Sequence, residues 1–459
     1  MDHSPQNRCL LVLMLVAGLA GCALQPAPDA RALREQQLPA LQASSTWSAS
    51  ATAGQVAGNW LADFADPQLH ALVAEAVANN RDLKLAAVRV EQARAMVSVN
   101  GGTLYPAVGV AGVVGKSDTE VLSLSASWEI DLWGRVRAQA RSAENALAAS
   151  DADRQWAEQL IAAATARAWL ALVQYQQLEL RQQALVASQE SLLTITTQRV
   201  HTGISAESEL LEVSSALQQQ RDKLGQLQLA RVQAAQALEV LLGRYPAGEL
   251  TASAALPELP AAPPAGLPAN LLERRPDLVA AERRVAAAFD MQQSAEAARL
   301  PKLSISAAIT DISSDVFLLN QANNPIKGIS ASFLAPLFTG GQLQGQADYY
   351  SAVQQEAALA YGSKALDALQ EVESGLRAEE SMKRRAGYLQ TQLADQRQLL
   401  AREQVRVKVG SRDPRSVLQR EQSVLAAEMG LIQLQTAQLN QRISLLLSLG
   451  GRWDSSPAV

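Results

Sequence analysis

Residues Leu122 to Leu132 alternate without interruption. Leu122, Leu124, Ala126, Trp128, Ile130 and Leu132 fall on one parity, and Ser123, Ser125, Ser127, Glu129 and Asp131 on the other. Successive side chains of a strand point to opposite faces, so the segment has one apolar face and one polar face. Its length matches the roughly 9 to 11 residues that a tilted strand needs to cross a bilayer. The surrounding chain reads differently. No proline occurs between Pro106 and Pro246. The stretch from Arg135 to about Thr202 is rich in Ala, Leu, Gln and Arg, and ~65 residues of helix extend roughly 100 Å. That is too long for a globular helix. A strand in lipid has no water to satisfy an open edge, so the few strands of this chain must close with others.

In chain order, residues 23 to 58 are rich in Pro, Ala and Ser without a clear period and read as a mostly extended leader. Asp66-Pro67 opens a helix expected to run to about Asn100, with Pro67 suited to its first turn. Gly101-Gly102 ends it. A strand pair follows over about 104 to 114 and 121 to 132, turning near Lys116-Ser117-Asp118-Thr119. After the long helix, His201-Thr202-Gly203 marks a reversal, and a return helix runs from about Ala206 to Leu242. In it Leu210, Leu217, Leu224 and Leu238 lie on a seven-residue period, as do Val213, Leu227, Ala234 and Leu241. Heptads sustained this long indicate coiled-coil packing. A Pro/Ala-rich linker covers Pro246 to Pro268.

The rest of the chain repeats this plan. Asp82, Leu83, Ala86, Val90, Ala93 and Pro106 correspond to Asp277, Leu278, Ala281, Val285, Ala288 and Pro301 at an offset of 195. Gly203, Leu211, Leu217, Leu224, Leu242 and Gly243 correspond to Gly410, Leu418, Val424, Leu431, Leu449 and Gly450 at an offset of 207. The difference places twelve extra residues in the second strand pair, where 313 to 327 reads as a longer loop containing Asn323-Asn324-Pro325. A tandem repeat follows. It divides the chain into a signal segment (1–21), a leader (22–66), a first repeat (67–270) and a second repeat (271–459).

Each repeat supplies one strand pair, the second over about 302 to 310 and 328 to 337. Four strands per chain cannot close a membrane barrel, for which about eight is the usual minimum, so copies must pool them. Eight-stranded barrels are filled by side chains, whereas the polar faces here carry Ser, Glu and Asp and suit a water-filled lumen. A trimer with twelve strands is therefore expected. The fold class is mainly α with a membrane β-barrel, the long antiparallel helical hairpins forming a hollow cylinder below it. Trp128 and Trp133 suit either an interfacial belt or packing at the junction of barrel and helices. Glu129 and Asp131 read as polarity facing the lumen.

Composition excludes several alternatives. With 4% aromatic residues and a net charge of -5 the chain lacks the footprint of a nucleic-acid binder. Three His and two Cys, with no Cys pair at zinc or redox spacing, give no metal site. No phosphate loop, His-Glu-x-x-His or Gly-x-Ser-x-Gly occurs, so no enzyme and no cofactor is expected.

At the N-terminus an apolar run from Cys9 to Ala17 follows Arg8, too short to span a membrane but fitting an export signal. The adjoining Leu19-Ala20-Gly21-Cys22 resembles the lipobox of bacterial lipoproteins. That resemblance implies cleavage before Cys22 and a covalent lipid on its thiol, and Ala23 resembles the pattern sent to the outer membrane.

Four motifs carry a second resemblance: Trp128-Glu129-Ile130-Asp131-Leu132-Trp133-Gly134-Arg135; Glu273-Arg274-Arg275-Pro276-Asp277-Leu278 with Ala281-Glu282; Pro336-Leu337-Phe338 before Gly340-Gly341; and Leu449-Gly450-Gly451-Arg452-Trp453. In this order they resemble the lipoprotein branch of the TolC-like outer-membrane efflux factors, over nearly the whole mature chain. The resemblance implies a homotrimeric channel docked to a periplasmic adaptor protein and an inner-membrane efflux transporter. It would pass drugs or toxic compounds without chemistry of its own. A conduit for type I protein secretion and a non-channel coiled-coil scaffold are the alternatives.

The family meets its adaptor at the hairpin tips, which here are Thr202, Gly203 and Ile204, and Val409, Gly410 and Ser411. Members close the periplasmic aperture with a Leu five residues past the second tip Gly and an Asp four further on. This chain has Arg415 and Gln419 there, with Ser208 and Glu212 as counterparts in the first repeat. Three Arg415 side chains near an axis repel unless paired. Arg412, Arg415 and Arg420 are therefore expected to pair with Glu207, Glu209 and Glu212 of a neighbouring tip as a charged latch.

Overall fold

The computed structural model describes residues 26–39, 46–49, 54, 58–113, 119–252, 255–266, 268–314 and 326–454. The signal segment, Cys22, the turn at 116–118 and Asn323-Asn324-Pro325 lie outside the described residues.

The leader is not extended throughout. Helix α1, Ala30–Gln37, is started by the Asp29 carboxylate, which accepts from the Ala32 amide at 2.8 Å, and is held by Leu33, buried against Val285 and Tyr361. Next, α2 (Pro67–Asn79) begins with Pro67 in its first turn and Asp66 as N-cap, the arrangement in which the missing Pro N–H has no partner to lose.

The single helix expected from Pro67 to about Asn100 is divided at Asn80. Its backbone turns out of the helical region, and its Oδ1 accepts from Asp82 and Leu83 amides at 2.9 and 3.3 Å, capping α3 (Arg81–Gly102). Its Nδ2 donates to the Leu241 carbonyl at 3.0 Å. An Asn that caps one helix while tying down another makes a corner no periodicity reveals.

Strands β1 (Ala107–Val113) and β2 (Thr119–Ile130) lead to α4 (Arg135–His201) and α5 (Glu207–Leu241). The second half repeats this as α6 (Pro268–Arg274), α7 (Pro276–Ala297), β3 (Lys302–Ser314), β4 (Ile326–Leu334), α8 (Gln342–Lys408) and α9 (Arg415–Ser448). Helices α3 and α7 have 22 residues each, and α4 and α8 have 67 each. The strands form one antiparallel sheet in the order β1-β2-β3-β4. β1 starts later and β4 ends earlier than expected because Pro106 and Pro336 offer no N–H to a ladder. Among the described residues no helix is long and apolar enough to cross a membrane.

Packing divides the chain into two units: residues 1–42, 87–153 and 276–365, and residues 43–86, 154–275 and 366–459. The first holds the sheet and the Leu33 cluster. The second holds the larger core, in which Trp60, Phe64, Leu69, Val73, Trp169, Leu238 and Ile443 are buried together. Its hairpins follow the heptads, with Leu217 and Leu238 buried and Leu210, Leu224 and Leu227 half-buried. In the same unit Arg275 is buried over the Trp156 ring at 4.9 Å. It donates to Glu371 at 2.6 Å and to the Ser448 carbonyl at 3.3 Å.

The Trp128 to Arg135 motif is the switch from strand to helix in the first unit. Asp131 accepts from Val136 and Arg137 amides at 3.2 and 2.9 Å, and Glu129 takes both Nε and Nη2 of Arg135 at 2.9 and 2.7 Å. Gly134 adopts φ +78°, a conformation costly for a side-chain-bearing residue. The two carboxylates, which read as lumen polarity, also close the start of α4. Trp133 donates to the Pro301 carbonyl at 2.6 Å, and Trp128, on the apolar face, to that of Leu104 at 2.9 Å. Asp131→Ala should cost about 0.5–2 kcal/mol, the range of a lost cap, read as a lower thermal midpoint with unchanged strand content.

Candidate functional site

Both hairpin tips are built alike. Gly203 and Gly410 stand at φ +72° and +75°. The Gly203 amide bonds the Val200 carbonyl and that of Ile204 bonds Arg199, while Gly410 bonds Val407 and Ser411 bonds Arg406, all at 2.8–3.0 Å. This is the left-handed helix ending that glycine permits. Thr202 returns its hydroxyl to the Gln198 carbonyl at 3.1 Å and Ser411 to that of Arg406 at 3.0 Å. The polar groups are thus satisfied inward, and Ile204 and Val409 are left exposed at the tips.

The tips differ in charge. α5 opens with Glu207 and Glu209, which suits the positive end of its dipole, whereas α9 opens with Arg415, which does not. Arg415 is answered by Asp413, at 2.9 Å from its Nη2, and by Glu209 of the adjacent tip in the same chain. Arg199 reaches Asp413 at 3.1 Å and donates to the Ser205 hydroxyl at 3.2 Å. The cluster therefore runs Ser205, Arg199, Asp413, Arg415, Glu209 across the two tips.

Of the charges expected to meet, the structure brings together Arg415 and Glu209. Arg412 instead lies 3.8 Å from Glu403 of its own hairpin, because the turn carries it back along α8. Arg420, Gln419, Glu207, Ser208 and Glu212 are exposed and join no pair in the cluster. Asp413 and Arg199 were missed by sequence reasoning. The signal was Asp413-Pro414-Arg415, an acidic residue before Pro at a helix start.

Hydrogen bonding from Ser205, with Arg415 and Arg199 nearby, holds the Glu209 carboxyl below the ordinary range, and bonding from Arg415 does the same for Asp413. A carboxyl whose pKa is lowered by folding adds stability above the unfolded value and loses it as pH falls through the folded one. The tip arrangement is therefore expected to be constant from neutral pH to about pH 5 and to loosen below about pH 4. Distances between spin labels at Thr202 and Ser411 across that range check this.

In the sheet, paired residues share a face. Val108 and Val110 lie with Leu124, Trp128, Ile305, Ile309, Ile329 and Phe333. The other face is a hydroxyl ladder: Ser123 to Thr310 at 2.9 Å, Ser304 to Ser332 at 2.7 Å and Ser306 to Ser330 at 2.8 Å. One face suits lipid and the other water. Among the described residues, β1 and β4 each leave one edge unpaired.

The family model described as "Outer membrane efflux protein" matches residues 72–244 and 267–451. The chain is 30% identical to the pyoverdine export outer membrane protein OpmQ of Pseudomonas aeruginosa, over 98% of each chain. It is 29% identical to the cation efflux system protein CusC of Escherichia coli O6:H1, covering 97% of this chain and 99% of that one. The solved outer-membrane channel OprN superposes with a TM-score of 0.78 at 26% identity, over 94% of this chain and 98% of its own.

Proposed function

The chain belongs to the outer membrane efflux protein family, and from that premise we propose that three copies form the outer-membrane channel of a tripartite efflux system. The channel conducts drugs or toxic compounds passively, without chemistry of its own. The observation that carries this reading is the sheet with one apolar and one hydroxyl face and two open edges, since only closure removes such edges in lipid. Twelve strands leave an aqueous lumen where eight do not.

In this reading Cys22 is the lipidated residue, and palmitate labelling is lost in Cys22→Ser. The tips at Thr202–Ile204 and Val409–Ser411 meet a periplasmic adaptor protein, which passes cargo from an inner-membrane transporter. Arg415, Gln419, Ser208 and Glu212 border the periplasmic aperture, with the Arg415–Glu209 pair as its latch. The relatives' names include pyoverdine and cations, so the test panel should contain a siderophore and metal ions as well as antibiotics. Expression in a host lacking its own efflux channel, with and without cognate adaptor and pump, is expected to give adaptor-dependent resistance. A correctly inserted trimer that confers none rules out drug efflux and turns the test to protein secretion.

A further inference from the structure

The two open edges lie beside an unusual pair of apolar segments. Leu337 and Phe338, just beyond β4, are 96% and 90% exposed, and Tyr105, just before β1, is 72% exposed. Three large side chains standing nearly free in water are informative where single exposed apolar residues are not. All three flank a proline: Tyr105 precedes Pro106, and Leu337 and Phe338 follow Pro336. Each proline ends its strand's capacity to donate to a ladder. Backbone pairing along either edge stops there, and side chains begin.

Sheet order fixes which edges meet. In β1-β2-β3-β4 every neighbouring pair is antiparallel, so closure by further copies sets β4 of one copy against β1 of the next, also antiparallel. The end of β4 then lies at the start of β1. The faces restrict the register further. Apolar residues of β1 include Val108 and Val110, those of β4 include Ile329 and Phe333, and opposed residues share a face. Val108 must therefore oppose an odd-numbered residue of β4, and Ala331 and Phe333 are the two that bring the start of β1 within two residues of the end of β4. Opposed to Ser332 it would turn an apolar row into the hydroxyl face and a serine row into lipid. With Val108 against Ala331 or Phe333, Tyr105 falls opposite Leu334 or Pro336, beside Leu337 and Phe338.

We infer that Tyr105 of one copy packs on Leu337 and Phe338 of the next, sealing each seam where strand hydrogen bonds end and helices begin. The partner is a second copy of this chain, and the inference rests on the trimeric channel reading. The seal answers a specific need, since the two prolines leave a gap in the ladder at the level where barrel gives way to helices. An aromatic and two apolar side chains exclude water there without needing donors.

The test is a disulfide between copies. Each variant is first checked for trimers by native mass spectrometry. Tyr105→Cys with Phe338→Cys in the full chain is expected to give covalent dimers and trimers on mild oxidation, and each single variant none. Val108→Cys should crosslink with Ala331→Cys or Phe333→Cys and not with Ser332→Cys. Trimers that fail to crosslink at 105 and 338, or that crosslink Val108 to Ser332 instead, overturn the seal while leaving the channel standing. A wild-type chain that forms no trimer overturns both. If the double variant does not assemble, a photo-reactive phenylalanine analogue at position 338 supplies the readout. Adducts on residues 103–108 of another copy support the seal, and adducts confined to the same copy overturn it.

Discussion

Trp169→Ala is expected to lower stability by about 3–5 kcal/mol, the range for deleting a fully buried Trp, and to remove the protein from the outer membrane. Trp169 is 0% exposed, in the core that joins α2, α4, α5 and α9. Its indole nitrogen donates to Asp66 Oδ2 at 2.8 Å, while Asp66 Oδ1 accepts from Gln68 and Leu69 amides at 3.0 and 3.1 Å. One carboxylate thus starts α2 with one oxygen and anchors α4 with the other. Truncation opens a cavity and leaves a buried acceptor unanswered, adding about 1–3 kcal/mol. Trp169→Phe separates the parts, because it keeps much of the volume and loses only the hydrogen bond. A lower thermal midpoint for Trp169→Phe and no recoverable trimer for Trp169→Ala is the expected order. Equal behaviour of the two would mean that volume contributes nothing beyond the bond.

Arg415→Glu is expected to raise single-channel conductance several-fold and to sensitise cells to bulky antibiotics the outer membrane normally excludes. The substitution removes the cation between Asp413 and Glu209 and puts a third carboxylate beside them, so attraction between the starts of α5 and α9 becomes repulsion. Arg199 still holds Asp413, which confines the change to the link between α5 and α9. Arg415→Gln, which loses the charge without inverting it, should lie between. Adding Glu209→Arg to Arg415→Glu should restore part of the closed state. Unchanged conductance and drug sensitivity in Arg415→Glu would show that the cluster shapes the tip without holding the aperture.

Much of the fold was legible because its causes are periodic. Heptads, alternation and the tip glycines state helix, strand and reversal directly, and the offset of 207 appears in the structure as two 67-residue helices ending in the same glycine turn. Causes that depend on one side chain meeting a distant group were not legible. Asn80 reads as an ordinary helical residue until its amide finds Leu241. The leader reads as extended because what docks α1 is Leu33 meeting Val285 and Tyr361, which lie far along the chain. At the candidate site the residue types and opposite signs were visible at Arg415 and Glu209, but spacing does not tell Arg412 that Glu403 is nearer than the other tip. Glu129 and Asp131 show the same limit, since their alternation with apolar residues is real and their partners lie in the helix that follows.

The equal backbones of the two hairpins conceal an unequal electrostatic inheritance. α5 begins with acids that suit its own dipole, while α9 begins with an arginine that does not and relies on Asp413 and on Glu209 from the first repeat. The two tips share a backbone, but the second draws on the first for part of the charge that answers its opening arginine. A chain carrying the second tip twice would bring arginines together with no Glu209 to receive them, and one carrying the first twice would crowd Glu207 and Glu209 with no Arg415 to answer them. Neither tip can therefore stand in for the other without breaking the charge link between them.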